Sequence, residues 1–101
     1  MDGLSKKAII VLDILKKMGA TNEEHKVNIY EILDELEKTD LKEILPDEED
    51  YELDNIECEM TQKSVSTTLA SLVRKELVEK TGVNTVKVGT QMKNIRSYYL
   101  K

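Results

Sequence analysis

The spacing of apolar residues changes character once along this chain, and that change constrains the fold more than any other feature. From Ala8 to about Val73 apolar side chains return every three or four residues, the period of a helix. From Leu77 to Leu100 β-branched and aromatic residues take over and stretches alternate, the period of a strand. A chain of 101 residues has room for one modest core. The two parts are therefore expected to pack together as a single α+β, mainly α, domain over residues 1–101. With 40% hydrophobic residues, and only four aromatics, all Tyr, that core must be aliphatic.

Residues 5–18 read as the first helix. Ser5 suits the N-cap and Gly19 the C′ position, and Ala8, Val11, Leu12, Leu15 and Met18 share one face. Ile9, Ile10 and Ile14 spread the apolar surface well past a single stripe. Two expectations follow: a central helix covered on most sides, or a helix whose Ile10, Ile14 and nearby residues meet a second subunit, a homodimer through helix 5–18. Residues 20–28 connect to the next helix, with a short strand expected at 26–28. Asn28 and Glu31 have capping-box spacing, and Val27 and Ile32 that of a hydrophobic staple. The second helix then runs to about Lys38 on the stripe Ile29, Ile32, Leu33 and Leu36.

Residues 39–60 read as an acidic insertion. Asp40 is expected to cap one short turn holding Leu41, Ile44 and Leu45, which Pro46 ends. Residues 47–59 carry eight acids. Asp50, Glu52 and Asp54 alternate as they do in a calcium-binding loop, but Asn55 stands where that loop needs Gly and Thr61 where it needs Glu. The expectation is a solvated acidic loop, with no metal and no cofactor.

Residues 61–75 form the third expected helix, with Thr61 as N-cap and Met60 and Val65 as staple. Val65, Leu69, Leu72 and Val73 make its apolar face. The other face presents Lys63, Thr67, Ala70, Ser71 and Arg74, with Ser66 at its margin. Residues 77–100 then suit a two-stranded ribbon that turns at Gly89 and Thr90 and bulges near Gly82. Lys80, Lys87, Lys93 and Arg96 decorate it.

The net charge of −5 hides a division that bears on function. Residues 1–60 hold seven lysines against eighteen acids, a net of −11, whereas residues 61–101 hold eight cations against Glu76 and Glu79, a net of +6. A basic C-terminal part is the electrostatic footprint of a polyanion partner. Small and polar side chains on the outer face of residues 61–75 would let a helix approach base edges in a DNA major groove.

Other chemistry is sparse. Cys58 is the only cysteine and His25 the only histidine, so a disulfide within the chain and a cysteine metal site are excluded. No nucleophile-base pair, phosphate loop or metal constellation stands out, and no catalytic role is expected. The N-terminus lacks a signal-peptide pattern, and no segment approaches the roughly 20 apolar residues of a membrane span. A soluble cytoplasmic protein without a membrane partner is expected.

Residues 61–82, TQKSVSTTLASLVRKELVEKTG, resemble the recognition helix and first wing strand of MarR-like winged helix-turn-helix transcriptional regulators. The likeness lies in Ser64-Val65-Ser66, Leu69 and Leu72, Arg74-Lys75, and Leu77-Val78-Glu79-Lys80. Ser97-Tyr98-Tyr99-Leu100 resembles the returning wing strand, and residues 27–36 resemble the helix before the recognition helix. Together these cover 36 of the 101 residues, about a third of the chain. The resemblance implies a three-helix core with a C-terminal β-hairpin wing at 77–100 and a recognition helix at 61–75, with residues 39–60 as an acidic insertion in that plan. It implies that Gln62, Lys63, Ser66, Thr67, Ala70 and Arg74 face DNA. This chain has Glu76 where such proteins usually have Gly, and an acidic segment where they have a short turn.

Two functions from different classes are expected to compete. One is sequence-specific binding of double-stranded DNA as a transcriptional regulator, through Gln62, Lys63, Ser66, Thr67, Ala70, Ser71 and Arg74, with the wing residues Lys80, Lys87, Lys93 and Arg96 on the flanking backbone. The other is a protein-interaction winged helix, an accessory or inhibitory transcription factor that meets a protein partner through 47–59.

Overall fold

Ser5 opens the first helix as expected: its hydroxyl oxygen accepts the Ala8 N–H at 3.1 Å, and α1 spans Lys6–Lys17. The computed structural model describes residues 4–101. Among them, five helices and a three-stranded antiparallel sheet give a mainly helical α+β fold. After α1 come a 3-10 turn at Glu23–His25, strand β1 (Val27–Asn28), α2 (Ile29–Lys38), α3 (Leu41–Ile44), α4 (Asp50–Glu59), α5 (Gln62–Arg74), β2 (Val78–Val88) and β3 (Gln91–Leu100).

The local signals at the helix starts act as their chemistry requires. Asn28 accepts the Glu31 N–H at 3.0 Å while the Glu31 carboxylate accepts the Asn28 N–H at 3.2 Å, a complete capping box. Val27 and Ile32 of the staple are both buried. Thr61 accepts the Ser64 N–H at 3.3 Å, and Met60 and Val65 are buried beneath it.

α1 is the hub of the core. It packs against α2, α3, α5 and β3. Ile10 and Ile14 are 0% exposed, so they close the protein's own interior and have no surface to offer a second subunit. This corrects the expectation of a homodimer through those two residues. Opposite α1, the face of α5 carrying Val65, Leu69 and Leu72 is fully buried.

The insertion also differs from expectation. The short turn capped by Asp40 is present as α3, where Asp40 accepts the Lys42 N–H at 3.0 Å. The following segment, expected as a solvated loop, forms the ten-residue helix α4. Leu53, Ile56 and Met60 supply a helical stripe, of which Leu53 and Met60 are buried and Ile56 half-buried. Asp50 and Glu52 in its first turn favour the positive end of the helix dipole. In the sequence, eight acids obscure that three-residue stripe.

β3 lies at the centre of the sheet, between β1 and β2. The ribbon turns at Gly89, whose φ is +64°, and its register shifts between Lys80 and Val83, the expected bulge. There the Thr81 hydroxyl oxygen accepts the Ser97 N–H at 3.3 Å and its proton goes to the Gly82 carbonyl at 3.2 Å. The far end of β3 is tied to the helices, because Leu100 N–H donates to the Ala20 carbonyl at 2.7 Å.

α1 and α5 end on the same device with different residues. After α1, Gly19 takes φ +70° and Ala20 N–H donates to the Leu15 carbonyl at 3.0 Å. After α5, Glu76 takes φ 62° and Leu77 N–H donates to the Leu72 carbonyl at 3.1 Å. Both are Schellman ends, and the second forces a side chain into the left-handed region where Gly is favoured. Glu76→Gly is expected to raise stability by about 0.5–1 kcal/mol in urea unfolding, with an unchanged m-value. The core makes the opposite prediction: Leu69→Ala is expected to lose about 2–5 kcal/mol in the same measurement.

Candidate nucleic-acid interface

The burial of Val65, Leu69 and Leu72 decides what α5 shows to solvent. Gln62, Lys63, Ser66, Thr67, Ala70 and Arg74 are exposed and Ser71 is half-buried. The Thr67 hydroxyl donates its proton to the Lys63 carbonyl at 3.0 Å. Its oxygen still has lone pairs, so in this rotamer Thr67 is an acceptor, suited to the amino group of adenine or cytosine.

The ribbon cations are exposed as well, but the register divides them. Paired residues on antiparallel strands point to the same face. Lys80 opposite Tyr98, Arg96 opposite Val83 and Lys87 opposite Met92 therefore share one face, whereas Lys93 opposite Val86 is on the other. Lys93 stands 5.8 Å from the centroid of the Tyr30 ring at the start of α2, a cation-π contact. Thus the four residues expected to act together on flanking backbone form a group of three and a separate fourth.

Where α5 begins, it faces β3 across an open cleft of about 560 Å3. It is lined by Gln62, Lys63 and Ser66 of α5, by Ile95, Arg96 and Tyr98 of β3, and by Ile29. The cleft brings together two residues expected from sequence on different elements, Lys63 and Arg96. Tyr98 was missed as a lining residue by sequence reasoning, which placed it only in a strand. Burial pushes the Tyr98 phenol up from its ordinary value, against the nearby Arg96 charge, so Tyr98 stays neutral and protonated there.

Four acids of the insertion, Glu48, Asp50, Glu52 and Glu59, pair with lysines away from α5. Lys6 at the start of α1 sits 2.8 Å from Glu48 and 3.5 Å from Glu52, and Lys7 sits 3.4 Å from Glu59. Within the insertion Lys42 lies 3.8 Å from Asp50. Glu57 borders grooves shared with α2 and α3. No ion pair is made by Lys63, Arg74, Lys80, Lys87, Lys93 or Arg96 among the described residues. The acidic insertion is thus tied to α1, while the cations of α5 and the ribbon face solvent.

Comparison with known proteins finds no matching family model, no similar curated protein and no similar solved structure. Among the described residues no group of His, Cys, Asp and Glu is arranged to hold a metal ion, and no helix is long and apolar enough to cross a membrane.

The clasp between α4 and α1 has a pH signature. Hydrogen bonding with Glu52, and then with Lys6, holds the Glu48 carboxyl below its ordinary value of 4.5, and Lys6 is held above its own. A lowered carboxylate pKa contributes stability above pH 4.5 that is lost as pH falls through the folded value. The Glu48 carboxyl carbon is expected to titrate below 4.5 by NMR and to move part-way back in Lys6→Gln. α4 is expected to stay helical in that variant, because exposed ion pairs contribute little and Leu53 and Met60 remain buried.

Proposed function

We propose that this protein binds double-stranded DNA in a sequence-specific manner, as a winged helix-turn-helix transcriptional regulator. α5 enters the major groove and the β2–β3 ribbon lies along the flanking backbone. The observation that carries this reading is the outer side of α5: small, polar, exposed, and bearing Lys63 and Arg74, which make no ion pair among the described residues. The order α1-β1-α2, then α5-β2-β3 after an inserted pair of helices, is compatible with a winged helix. In this reading Ala70 lets the helix backbone approach the base edges, Thr67 accepts from a base amino group, and Arg74 reaches guanine or phosphate.

The competing surface is α4. Its Tyr51 is 63% exposed amid acids, which favours contact with a basic protein segment. The two readings separate in one experiment, a titration against mixed genomic fragments at two salt concentrations with sequencing of the bound fraction. DNA binding predicts enrichment of a common site and affinity that falls steeply with salt. Arg74→Ala and Thr67→Ala are each expected to weaken binding to that site by about 5- to 150-fold, the range of about 1–3 kcal/mol for a base contact, while the thermal midpoint is unchanged. Absence of binding at moderate salt, or indifference of affinity to both substitutions, overturns the proposal. Capture of a partner that neutralising 47–59 abolishes would then favour the acidic helix.

A further inference from the structure

Two surfaces outside α5 each set exposed apolar side chains among charges of a single sign, and the two signs are opposite. We propose that these surfaces bind each other between copies of this chain: one face of the β2–β3 ribbon docks, head to tail, on the outer side of α4 of a second copy. The contact takes up ribbon cations and therefore competes with any polyanion. It does not rest on the DNA reading.

The ribbon face is defined by its register. Val83 stands opposite Arg96 and Met92 opposite Lys87, and these four share a face with Lys80. Val83 is 55% and Met92 64% exposed. A sugar-phosphate backbone uses the cations and gains little from two apolar side chains, whereas a protein surface gains from both. Lys80, Lys87 and Arg96 make no ion pair among the described residues. The ribbon's single acid, Glu79, lies on the other face, 3.6 Å from Lys101. Lys93, also on that other face, is engaged with the Tyr30 ring.

α4 divides its charges by flank. With Leu53, Ile56 and Met60 turned towards the core, helical spacing puts Tyr51 and Asp54 on the opposite side. Glu52 and Glu59 fall on the flank held by Lys6 and Lys7, at 3.5 and 3.4 Å. Asp50, Asp54 and Glu57 are exposed on the other flank. Asp50 has Lys42 at 3.8 Å, while Asp54 and Glu57 make no ion pair among the described residues. Tyr51 is 63% exposed, and its ring suits both a cation and the Met92 thioether. The two surfaces complement each other in charge, three cations against three acids, around apolar centres. They also match in length: Val83 to Lys87 spans about 13 Å of strand, and Asp50 to Glu57 about 10 Å of helix. No ion pair joins them within one molecule, so each is free for a second copy. Because unlike surfaces meet, a bound pair keeps one free ribbon and one free α4, and association continues unless it closes into a ring.

The test is complementation, measured by sedimentation equilibrium on the full chain. One hairpin on one helix is a small interface, so a dissociation constant on the order of 100 µM is expected at low salt. The mean mass should rise with protein concentration at about 50 mM salt and return to that of the monomer at about 500 mM. Lys87→Gln/Arg96→Gln and Asp54→Asn/Glu57→Gln should each associate at least about tenfold more weakly. An equimolar mixture of the two should form a 1:1 complex and stop there, because it holds one intact ribbon and one intact α4 for each pair. In that mixture, amide NMR of the ribbon variant should shift at Tyr51, Asp54 and Glu57, and that of the α4 variant at Val83, Lys87, Met92 and Arg96. Tyr51→Ala in the otherwise native chain should weaken association about fivefold or more. A chain that stays monomeric, association that both double variants retain, or a mixture that fails to pair overturns the proposal. These measurements contain no nucleic acid, so their failure leaves the DNA reading standing, and association without duplex binding removes the DNA reading alone. All the substituted side chains are exposed, so an unchanged thermal midpoint confirms that folding is intact.

Discussion

Burial of one face of α5 against the rest of the core is the constraint on which the surface depends. An α-helix that commits Val65, Leu69 and Leu72 to the interior has no freedom over which side it shows to solvent. Each of those side chains contributes about 1.5–3 kcal/mol on leaving water, far more than any exposed polar contact on the opposite side. The orientation of Thr67, Ala70 and Arg74 is thus fixed by aliphatic packing. α1 is the other half of this arrangement. With no Phe or Trp in the chain, the core is filled by a helix that buries Ile10, Val11, Ile14 and Leu15 together, which is why its apolar surface extends well beyond a stripe.

Electrostatics act on this frame by segregation. An acidic protein can present a cationic surface only if its acids are spatially separated from it and otherwise satisfied. Here Lys6 and Lys7 hold Glu48, Glu52 and Glu59. Such exposed pairs add little to stability. Their effect is on the field: each acid neutralised near α1 is one fewer to oppose the cations of α5 and the ribbon. At physiological ionic strength the Debye length is about 8 Å, so local arrangement outweighs the net charge of −5.

What could be read from the sequence was what is decided locally. Ser5, Asn28 and Thr61 cap helices through bonds three residues long, and Gly89 and the Thr81-Gly82 bulge shape the ribbon within a few residues. What could not be read depended on distant partners. Whether Ile10 and Ile14 face the interior or a second subunit was left open, because the elements that cover them lie far along the chain. α4 was obscured for a related reason. Its stripe of Leu53, Ile56 and Met60 is too thin to specify a helix unless a core is present to receive it. The site divides the same way. The exposed face of α5 follows from periodicity, but the meeting of Lys63 with Arg96, Ile95 and Tyr98 is a product of tertiary packing.

The inserted helices raise the question of how α2 and α5 remain packed together when residues 39–61 lie between them. Lengthening a connection from about four residues to about twenty adds only about 1.5 kcal/mol of closure entropy. Burying Leu41, Leu53 and Met60 returns about 1.5–3 kcal/mol each. The insertion therefore carries its own anchorage and need not draw on the α2–α5 contact. It loops out at Thr39, binds along α1, and re-enters at Thr61, whose hydroxyl caps α5 whatever precedes it. A surface element can be added to such a core without changing the direction in which the last helix points, provided its own apolar residues find cover and its charges find partners away from that helix.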